Sequence, residues 1–235
     1  MKNRIKRIYA SDAAYKQMLE NYTAKDTAFA VGLYIIIALG YLGMGIVHAA
    51  TGLYLGGYFN LISILLCFLL LFIRKQKSDT VGLTSTHVRK GILVGLISGT
   101  VFSLLNIIPA IQSGSIWAGF SITLVTNTFY YFIVIGFQEE IVFRGYIQTR
   151  LYGVIKSDWL AVLICGLMFA AIHVPFQFYQ RNSGNLVDFV AQNFIWLLMT
   201  FIWHFVFNLL YRKYNSLTAP TIAHGLMNLS NTLFH

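Results

Sequence analysis

The chain has 235 residues, of which 57% are hydrophobic and only 11% are charged. A water-soluble domain of this length cannot bury so much apolar surface, so the composition excludes that class and predicts a polytopic membrane protein. The formal net charge of +9 would suit a nucleic-acid partner. The basic residues, however, lie between apolar runs, as they do in the cytoplasmic loops of membrane proteins, so we expect no nucleic acid as a partner.

The first 26 residues are polar and begin with several basic side chains. They lack the apolar core and the small-residue cleavage site of a removable signal peptide. We therefore predict that residues 1–26 form a cytoplasmic N-terminal tail, in part an amphipathic surface helix. Residues 27–235 are predicted to form a single transmembrane domain.

Seven apolar runs of about membrane-spanning length follow, at 27–49, 52–73, 91–112, 117–143, 158–176, 187–210 and 217–234. No alternating barrel pattern is present, and lipid requires every spanning backbone to pair internally. The predicted fold class is all-α, a polytopic transmembrane helical bundle of about seven membrane segments. Cys67 and Cys165 lie within apolar runs, so we interpret them as buried small residues rather than as a disulfide or a metal pair.

The basic residues give the bundle an orientation. With seven segments, one side receives the tail, the 74–90 loop, Arg150, Lys156, Arg212 and Lys213, whereas the other receives Arg181 alone. The positive-inside rule then predicts a multi-pass protein of the cell membrane, with the N-terminus in the cytoplasm and the C-terminus outside.

Two acidic residues, Glu139 and Glu140, lie inside an apolar segment. An ionised side chain near the centre of a membrane helix costs about 2.5–3.5 kcal/mol on insertion scales. Glu140 and Arg144 are four residues apart, so they share one helix face and are expected to pair. Such a pair is also compatible with a purely structural role in helix packing. Glu139 points about 100° away around the helix and has no partner close in sequence, which favours a chemical role.

Histidines within the apolar segments are the candidate partners of these carboxylates. His173 follows Phe169 by four residues, and two His–Asn pairs with the same spacing occur, His204 with Asn208 and His224 with Asn228. A lone histidine in an apolar helix is more often a packing residue than a catalytic one. The zinc-protease motif HExxH is absent, and no aspartate lies in mid-segment. What remains is glutamate and histidine on separate helices, a combination suited to activating a water molecule.

Three motifs, in order, carry a family resemblance. EEIVFR (139–144) fits EExxxR, FAAIH (169–173) fits FxxxH, and HGLMN (224–228) fits HxxxN. The set resembles the CPBP family of intramembrane endopeptidases, which includes CAAX proteases and bacteriocin-processing enzymes. The resemblance covers about 115–235 and implies that the last four segments form the catalytic core.

The resemblance implies a role for each motif residue. Glu139 and His173 would hold and deprotonate the attacking water, and Glu140 and Arg144 would support them. The oxyanion of the intermediate would be stabilised by His224 and Asn228. Because the family's third motif opens the last segment, we choose that pair over His204 and Asn208, and we assign His204 and Phe169 supporting positions.

The resemblance implies no cofactor firmly. Glu139, His173 and His224 are also a donor set for zinc, and the sequence leaves that alternative open; we favour glutamate-based hydrolysis without a metal. One question about depth also stays open. The predicted segment boundaries place Glu139 and His224 toward the cytoplasmic half of the bundle and His173 nearer the outer half.

The predicted function is that of an intramembrane endopeptidase acting on a peptide or membrane-protein segment in a cytoplasm-facing cavity within the lipid bilayer. A prenylated substrate is compatible with the resemblance but does not follow from it. The alternative is a non-catalytic membrane immunity or scaffold protein that binds a bacteriocin or another partner protein. A transporter is a third, weaker alternative, since it would favour an internal repeat that the sequence lacks.

Overall fold

The computed structural model describes residues 11–181 and 184–234. The first ten residues of the predicted tail lie outside these ranges. The described ranges are helical throughout, apart from loops and one isolated antiparallel bridge between Trp117 and Phe234. The all-α prediction is confirmed for this part of the chain.

We number the helices α1 to α10 in chain order, with one 3₁₀ turn at Ser78–Val81 between α3 and α4. Their bounds are α1 Ala13–Glu20, α2 Ala24–Thr51, α3 Gly56–Ile73, α4 Val88–Gln112, α5 122–151, α6 Asp158–Ala171, α7 Val174–Gln180, α8 Leu186–Gln192, α9 Phe194–Tyr214 and α10 Thr218–Ser230.

Helix α5 is not a regular α-helix. It begins α-helical at Ile122–Phe129, winds as a π-helix over Tyr130–Phe137 and again over Glu140–Gln148, and ends α-helical at Thr149–Leu151. Glu139 lies at the junction between the two π-helical segments. Such wider turns are rare and are found often at functional sites.

Among the residues that the structure describes, five helical stretches are long and apolar enough to cross a membrane, namely α2, α3, α4, α9 and the stretch Asp158–Gln180 that contains α6 and α7. The expected count of seven is not confirmed. The predicted fourth segment ends at residue 143, whereas α5 continues past Arg144 to Leu151. Arg144 and Arg150 are fully buried in the bundle, so their charge does not end the helix.

The last two predicted segments also differ from the helices observed. The run 187–210 is divided at Asn193 into the short α8 and the long α9. Helix α10 has only 13 residues. At about 1.5 Å per residue it is about 20 Å long, less than the roughly 30 Å hydrocarbon core of a bilayer.

Helix ends gather at two opposite ends of the bundle. At one end, which we call the basic end, the backbone amide of Asp12 donates to the carbonyl of Arg212, and the Thr27 hydroxyl donates to the carbonyl of Arg150. The starts of α2, α4, α6 and α10 and the ends of α3, α5 and α9 meet there. At the opposite end, His48 packs on Phe176, and Arg181 hydrogen-bonds to Asn193.

Helices α4 and α10 approach each other closely along a stripe of small residues. Gly91, Gly95, Gly99 and Ser103 are the buried residues of α4. A side chain at Gly95 would place its Cβ 2.9 Å from the carbonyl oxygen of Ala219, so only glycine permits this spacing. Ser103 then donates a hydrogen bond of 3.0 Å to the carbonyl of Leu226. This close packing fixes α10, which carries the third motif, against the α4 wall.

The described part of the tail is folded against the bundle. Asp12 caps α1 through hydrogen bonds to the amides of Ala14 and Tyr15. The Tyr15 side chain is fully buried and lies edge-on to Tyr211, with ring centroids 5.8 Å apart. Burial raises the pKa of Tyr15 to about 12, so its hydroxyl keeps its proton at neutral pH.

Candidate active site

The first motif forms a buried ion pair on α5. Arg144 Nη1 lies 3.3 Å from Glu140 Oε1, and both side chains are fully buried. The spacing of four residues therefore produces the contact that the sequence predicts. Removing one partner of a buried pair costs about 3–5 kcal/mol because it leaves the other charge uncompensated.

Aromatic rings surround the guanidinium of Arg144. Its central carbon lies 4.1 Å from the ring centroid of Phe169 and 5.5 Å from that of Phe207. The negative face of an aromatic ring attracts a cation, most strongly where water is excluded. Arg144 therefore links the first motif on α5 to the second motif on α6 and to α9.

Glu139 points away from this pair and lies between two imidazole rings. Its Oε1 is 3.8 Å from His173 Nε2, and its Oε2 is 3.7 Å from His224 Nε2. Both separations exceed a hydrogen bond, so the carboxylate oxygens make only loose contacts with the rings. The side chain of Glu139 is 15% exposed, whereas that of Glu140 is fully buried. The two adjacent acids thus occupy different environments.

His173 lies at the break between α6 and α7. Its Nδ1 is 2.7 Å from the carbonyl oxygen of Phe169, and we assign the Nδ1 hydrogen to this bond. Nε2 then carries a lone pair that faces Glu139. Phe169 thus contributes its carbonyl to His173 and its ring to Arg144. The short distance between His173 and Glu139 also answers the question of depth, because both residues lie at the same level of the bundle.

His224 connects the two glutamates. Its Nδ1 is 2.9 Å from Glu140 Oε1, while its Nε2 faces Glu139. We assign the Nδ1 hydrogen to the bond with Glu140, because the carboxylate oxygen only accepts. The ring of His224 also stacks on Phe207, with centroids 4.5 Å apart and planes inclined by 14°. The imidazole is therefore held in one orientation from two directions.

Asn228 lies one turn after His224 on α10. Its side chain is half-buried and lines the same cavity as Glu139, His173 and His224. Within residues 11–181 and 184–234 its amide makes no hydrogen bond. It is thus a free donor facing the space beside Glu139.

Two cavities meet at Glu139 and His173. The larger, of about 300 Å³, is bordered by α4, α9 and α10. The smaller, of about 100 Å³, is bordered by α2, α3 and α7, with the hydroxyls of Tyr41 and Tyr54 in its wall. Glu139 and His173 are accessible from both. A polar pair between two cavities can meet a substrate and water at the same time.

A second polar group lies nearer the basic end, and we call it the buried layer: Gln148, His204 and Asn208. Gln148 Oε1 is 2.9 Å from His204 Nε2, and Gln148 Nε2 donates to Asn208 Oδ1 at 2.6 Å. All three residues are buried. His204 lines neither of the two cavities described above. Its supporting role stays a prediction, and its contact with the site is through the Phe169 ring, 5.7 Å away.

Sequence reasoning missed two residues that hold the site. Gln148 continues the stripe of Glu140 and Arg144 by another four residues, so the periodicity of α5 contained a signal for it. Phe207 gave no such signal, since an aromatic residue in an apolar helix has no distinguishing pattern. It becomes recognisable only when α9 brings its ring onto His224 and near Arg144.

Glu139, His173 and His224 are the three residues that the sequence offers as zinc ligands. Zinc ligands converge on the ion at about 2.0–2.2 Å. Here His173 and His224 face different oxygens of the Glu139 carboxylate, and within the described ranges no group of three or more His, Cys, Asp or Glu side chains is arranged to hold a metal. We therefore derive no chemical step through zinc. Cys67 and Cys165 are both buried and free.

Comparison with known proteins agrees with the site. No curated protein and no solved structure matches the chain. Residues 121–230 match the family described as Type II CAAX prenyl endopeptidase Rce1-like. The matched segment contains all three motifs and excludes α1 to α4. The predicted resemblance is confirmed for this segment: residues 121–230 are similar to the Rce1-like type II CAAX prenyl endopeptidases, which is consistent with a CPBP family intramembrane protease.

Proposed function

We propose that this protein is an intramembrane endopeptidase that uses Glu139 and His173 to activate water. The observation that carries the proposal is the position of the Glu139 carboxylate, beside the Nε2 atoms of His173 and His224 and on the wall of a cavity. A carboxylate that is neither paired with Arg144 nor hydrogen-bonded is available as a general base.

In the proposed reaction, a water molecule hydrogen-bonds to Glu139 and to the lone pair of His173 Nε2. Its oxygen attacks the carbonyl carbon of the scissile peptide bond while Glu139 takes one proton. The carbonyl electron pair moves to oxygen and forms the oxyanion. When the intermediate collapses, the C–N bond breaks and Glu139 returns the proton to the leaving amine, which gives a carboxylic acid and an amine; the acid then releases its proton to solvent.

The oxyanion would be bound by the Asn228 amide and by His224. Since the Nδ1 hydrogen of His224 is assigned to Glu140, donation from Nε2 requires hydrogens on both ring nitrogens. Two carboxylates lie next to this ring, Glu140 at 2.9 Å and Glu139 at 3.7 Å. Each donor of an oxyanion site is typically worth about 10²–10³-fold in kcat.

Glu140 and Arg144 would support the reaction without contacting the substrate. Arg144 compensates the buried charge of Glu140, and Glu140 in turn fixes the ring of His224. This division of roles agrees with the different exposure of the two glutamates.

The proposed substrate is a peptide or a membrane-protein segment that occupies the larger cavity. Its wall contains Phe102, Trp196 and Trp203, which suit an apolar chain. The name of the matched family also makes a prenylated C-terminal peptide a candidate substrate. No observation specifically favours an immunity protein, a scaffold or a transporter.

The test compares wild type with Glu139→Ala in membranes of expressing cells, where new peptide N-termini are quantified by mass spectrometry. We expect the variant to lose wild-type-dependent cleavage by about 10²–10⁴-fold, the usual contribution of a general base. Glu20→Ala is the matched control, because Glu20 is exposed on α1 and remote from the cavity. A farnesylated C-terminal peptide and its unmodified counterpart, added to purified protein, separate a prenylated from an ordinary peptide substrate.

Equal amounts of inserted, folded Glu139→Ala and wild-type protein must be verified first. If Glu139→Ala then cleaves as well as wild type, the proposed role of Glu139 is wrong. If wild type itself produces no cleavage, a non-catalytic binding role becomes the better explanation.

A further inference from the structure

The positions of the lysines and arginines distinguish the basic end of the bundle from the opposite end. The described lysines and arginines of this end lie in α1, at the ends of helices or in the loops that join them: Lys16, Lys25, Arg74, Lys75, Lys77, Arg89, Lys90, Arg150, Lys156, Arg212 and Lys213. At the opposite end, Arg181 is the one basic residue within the described ranges, and Arg144 lies between the two ends. The positive-inside rule places such a basic end in the cytoplasm.

The larger cavity lies in the other half of the bundle. Helix α4 runs away from the basic end and lines the cavity only with residues after Gly99, from Phe102 to Asn106. Helix α9 runs toward the basic end and lines the cavity with its earlier part, from Trp196 to Phe207. Helix α10 contributes residues from His224 onward. Most of the lining of these three walls therefore lies in the half remote from the basic end, and Phe207 of α9 reaches furthest toward the basic end.

The two sides of the site differ in how closely their side chains are packed. Toward the basic end, Glu139 is followed by the buried Glu140–Arg144 pair, then by Gln148 with His204, and finally by the fully buried Tyr15 of α1. Toward the opposite end, Asn231 is exposed and Met199 is 42% exposed, and both residues line the cavity. A substrate can enter past Asn231 and Met199, whereas packed side chains block the cytoplasmic direction.

We infer that the active-site cavity opens toward the side of the membrane opposite the cytoplasm. Its substrates would then be peptides, or parts of membrane proteins, presented from that side, such as a segment that has already crossed the bilayer. The expectation of a cytoplasm-facing cavity is not compatible with the predicted orientation and this geometry together. The substrate class rests on the proposed function, but the direction of opening does not.

Accessibility of introduced cysteines tests the direction of opening without any activity measurement. Thr200→Cys, in the cavity wall, and Asn231→Cys, at its rim, are exposed to a sulfonated maleimide that does not cross membranes. Lys77→Cys, which is exposed at the basic end, is the matched control. The wild type gives the background, since both of its cysteines are buried.

We expect Thr200→Cys and Asn231→Cys to be labelled in right-side-out vesicles at least tenfold faster than in inside-out vesicles. Lys77→Cys should show the reverse preference. Labelling of Thr200→Cys mainly in inside-out vesicles would overturn the inference, as would labelling of Lys77→Cys from the outside, because the orientation itself would then be inverted.

A second readout addresses the substrate class. The peptide N-termini that depend on Glu139 should map to extracytoplasmic regions, or to the adjoining half of membrane segments. If they map to cytoplasmic C-terminal tails, the inferred substrate class is wrong although the protein is still a protease. If no N-terminus depends on Glu139, the proposed function fails, and the labelling result still decides the direction of opening.

Discussion

Two pairs of residues with the same spacing, His204 with Asn208 and His224 with Asn228, have different environments in the same bundle. On α9, Gln148 bonds to both members of the pair, and neither faces either of the two cavities that meet at Glu139. On α10, His224 contacts Glu139 and Glu140, and Asn228 faces the larger cavity. A polar motif becomes a candidate site when some of its hydrogen-bonding atoms face a cavity and are not bonded to a neighbouring helix.

The buried layer has a mechanical consequence for the cavity. One amide of α5 holds two residues of α9 that are one turn apart, which fixes the rotation of α9 about its axis. Phe207 lies between them and stacks on His224. The buried layer thereby helps to hold the imidazole whose Nε2 faces Glu139.

The comparison predicts a large catalytic effect at Asn228. Asn228→Leu removes a donor from the cavity but breaks no hydrogen bond among the described residues. We expect kcat to fall by about 10²–10³-fold, as for other oxyanion donors, with little change in KM or in apparent melting temperature. Steady-state kinetics on a cleavable peptide found with the wild type, together with thermal unfolding in detergent, measure this. A loss of less than tenfold would mean that Asn228 does not bind the oxyanion.

The same substitution at Asn208 should act on stability instead. Asn208→Leu leaves the buried Gln148 Nε2 with only the long 3.4 Å contact to the Tyr15 hydroxyl. Interhelical hydrogen bonds in membranes average about 0.6 kcal/mol, and an unsatisfied buried group costs about 1–3 kcal/mol. We expect a destabilisation in this range and a kcat within about tenfold of wild type for the folded fraction.

Asn208→Leu and Asn228→Leu are matched controls for each other, since the chemical change is identical. Reversible unfolding in mixed micelles gives the free energy, and kinetics on the same preparations give kcat. If Asn208→Leu lost as much kcat as Asn228→Leu at unchanged stability, the distinction between the two pairs would be false.

Sequence reasoning succeeded where the signal was local. Apolar runs located α2, α3 and α4, and the spacing of Glu140 and Arg144 produced their contact because both lie on one helix. The distribution of basic residues between the predicted loops also assigned Arg181 to the end of the bundle opposite the other basic residues.

What the sequence could not predict depends on contacts between helices. The length of α5 was underestimated because Arg144 and Arg150 are buried among aromatic rings and backbone carbonyls rather than exposed at a helix end. The break at His173 and the division at Asn193 lie within continuous apolar runs that hydropathy does not resolve. The bond between His224 and Glu140 joins residues 84 positions apart, and no periodicity reports such a contact.

The smallest expected effect is that of metal removal. This experiment distinguishes hydrolysis with Glu139 as a free base from hydrolysis that depends on a metal ion. His173 and His224 face different oxygens of Glu139, so the two imidazole rings flank the carboxylate, and among the described residues no group of three His, Cys, Asp or Glu side chains is arranged to hold a metal. We therefore expect activity to stay within about twofold of its initial value after dialysis against EDTA and 1,10-phenanthroline. Metal analysis of the purified protein provides the control. Loss of activity with recovery on adding zinc would show that the three residues rearrange around an ion, and Glu139 would then be a ligand rather than a free base.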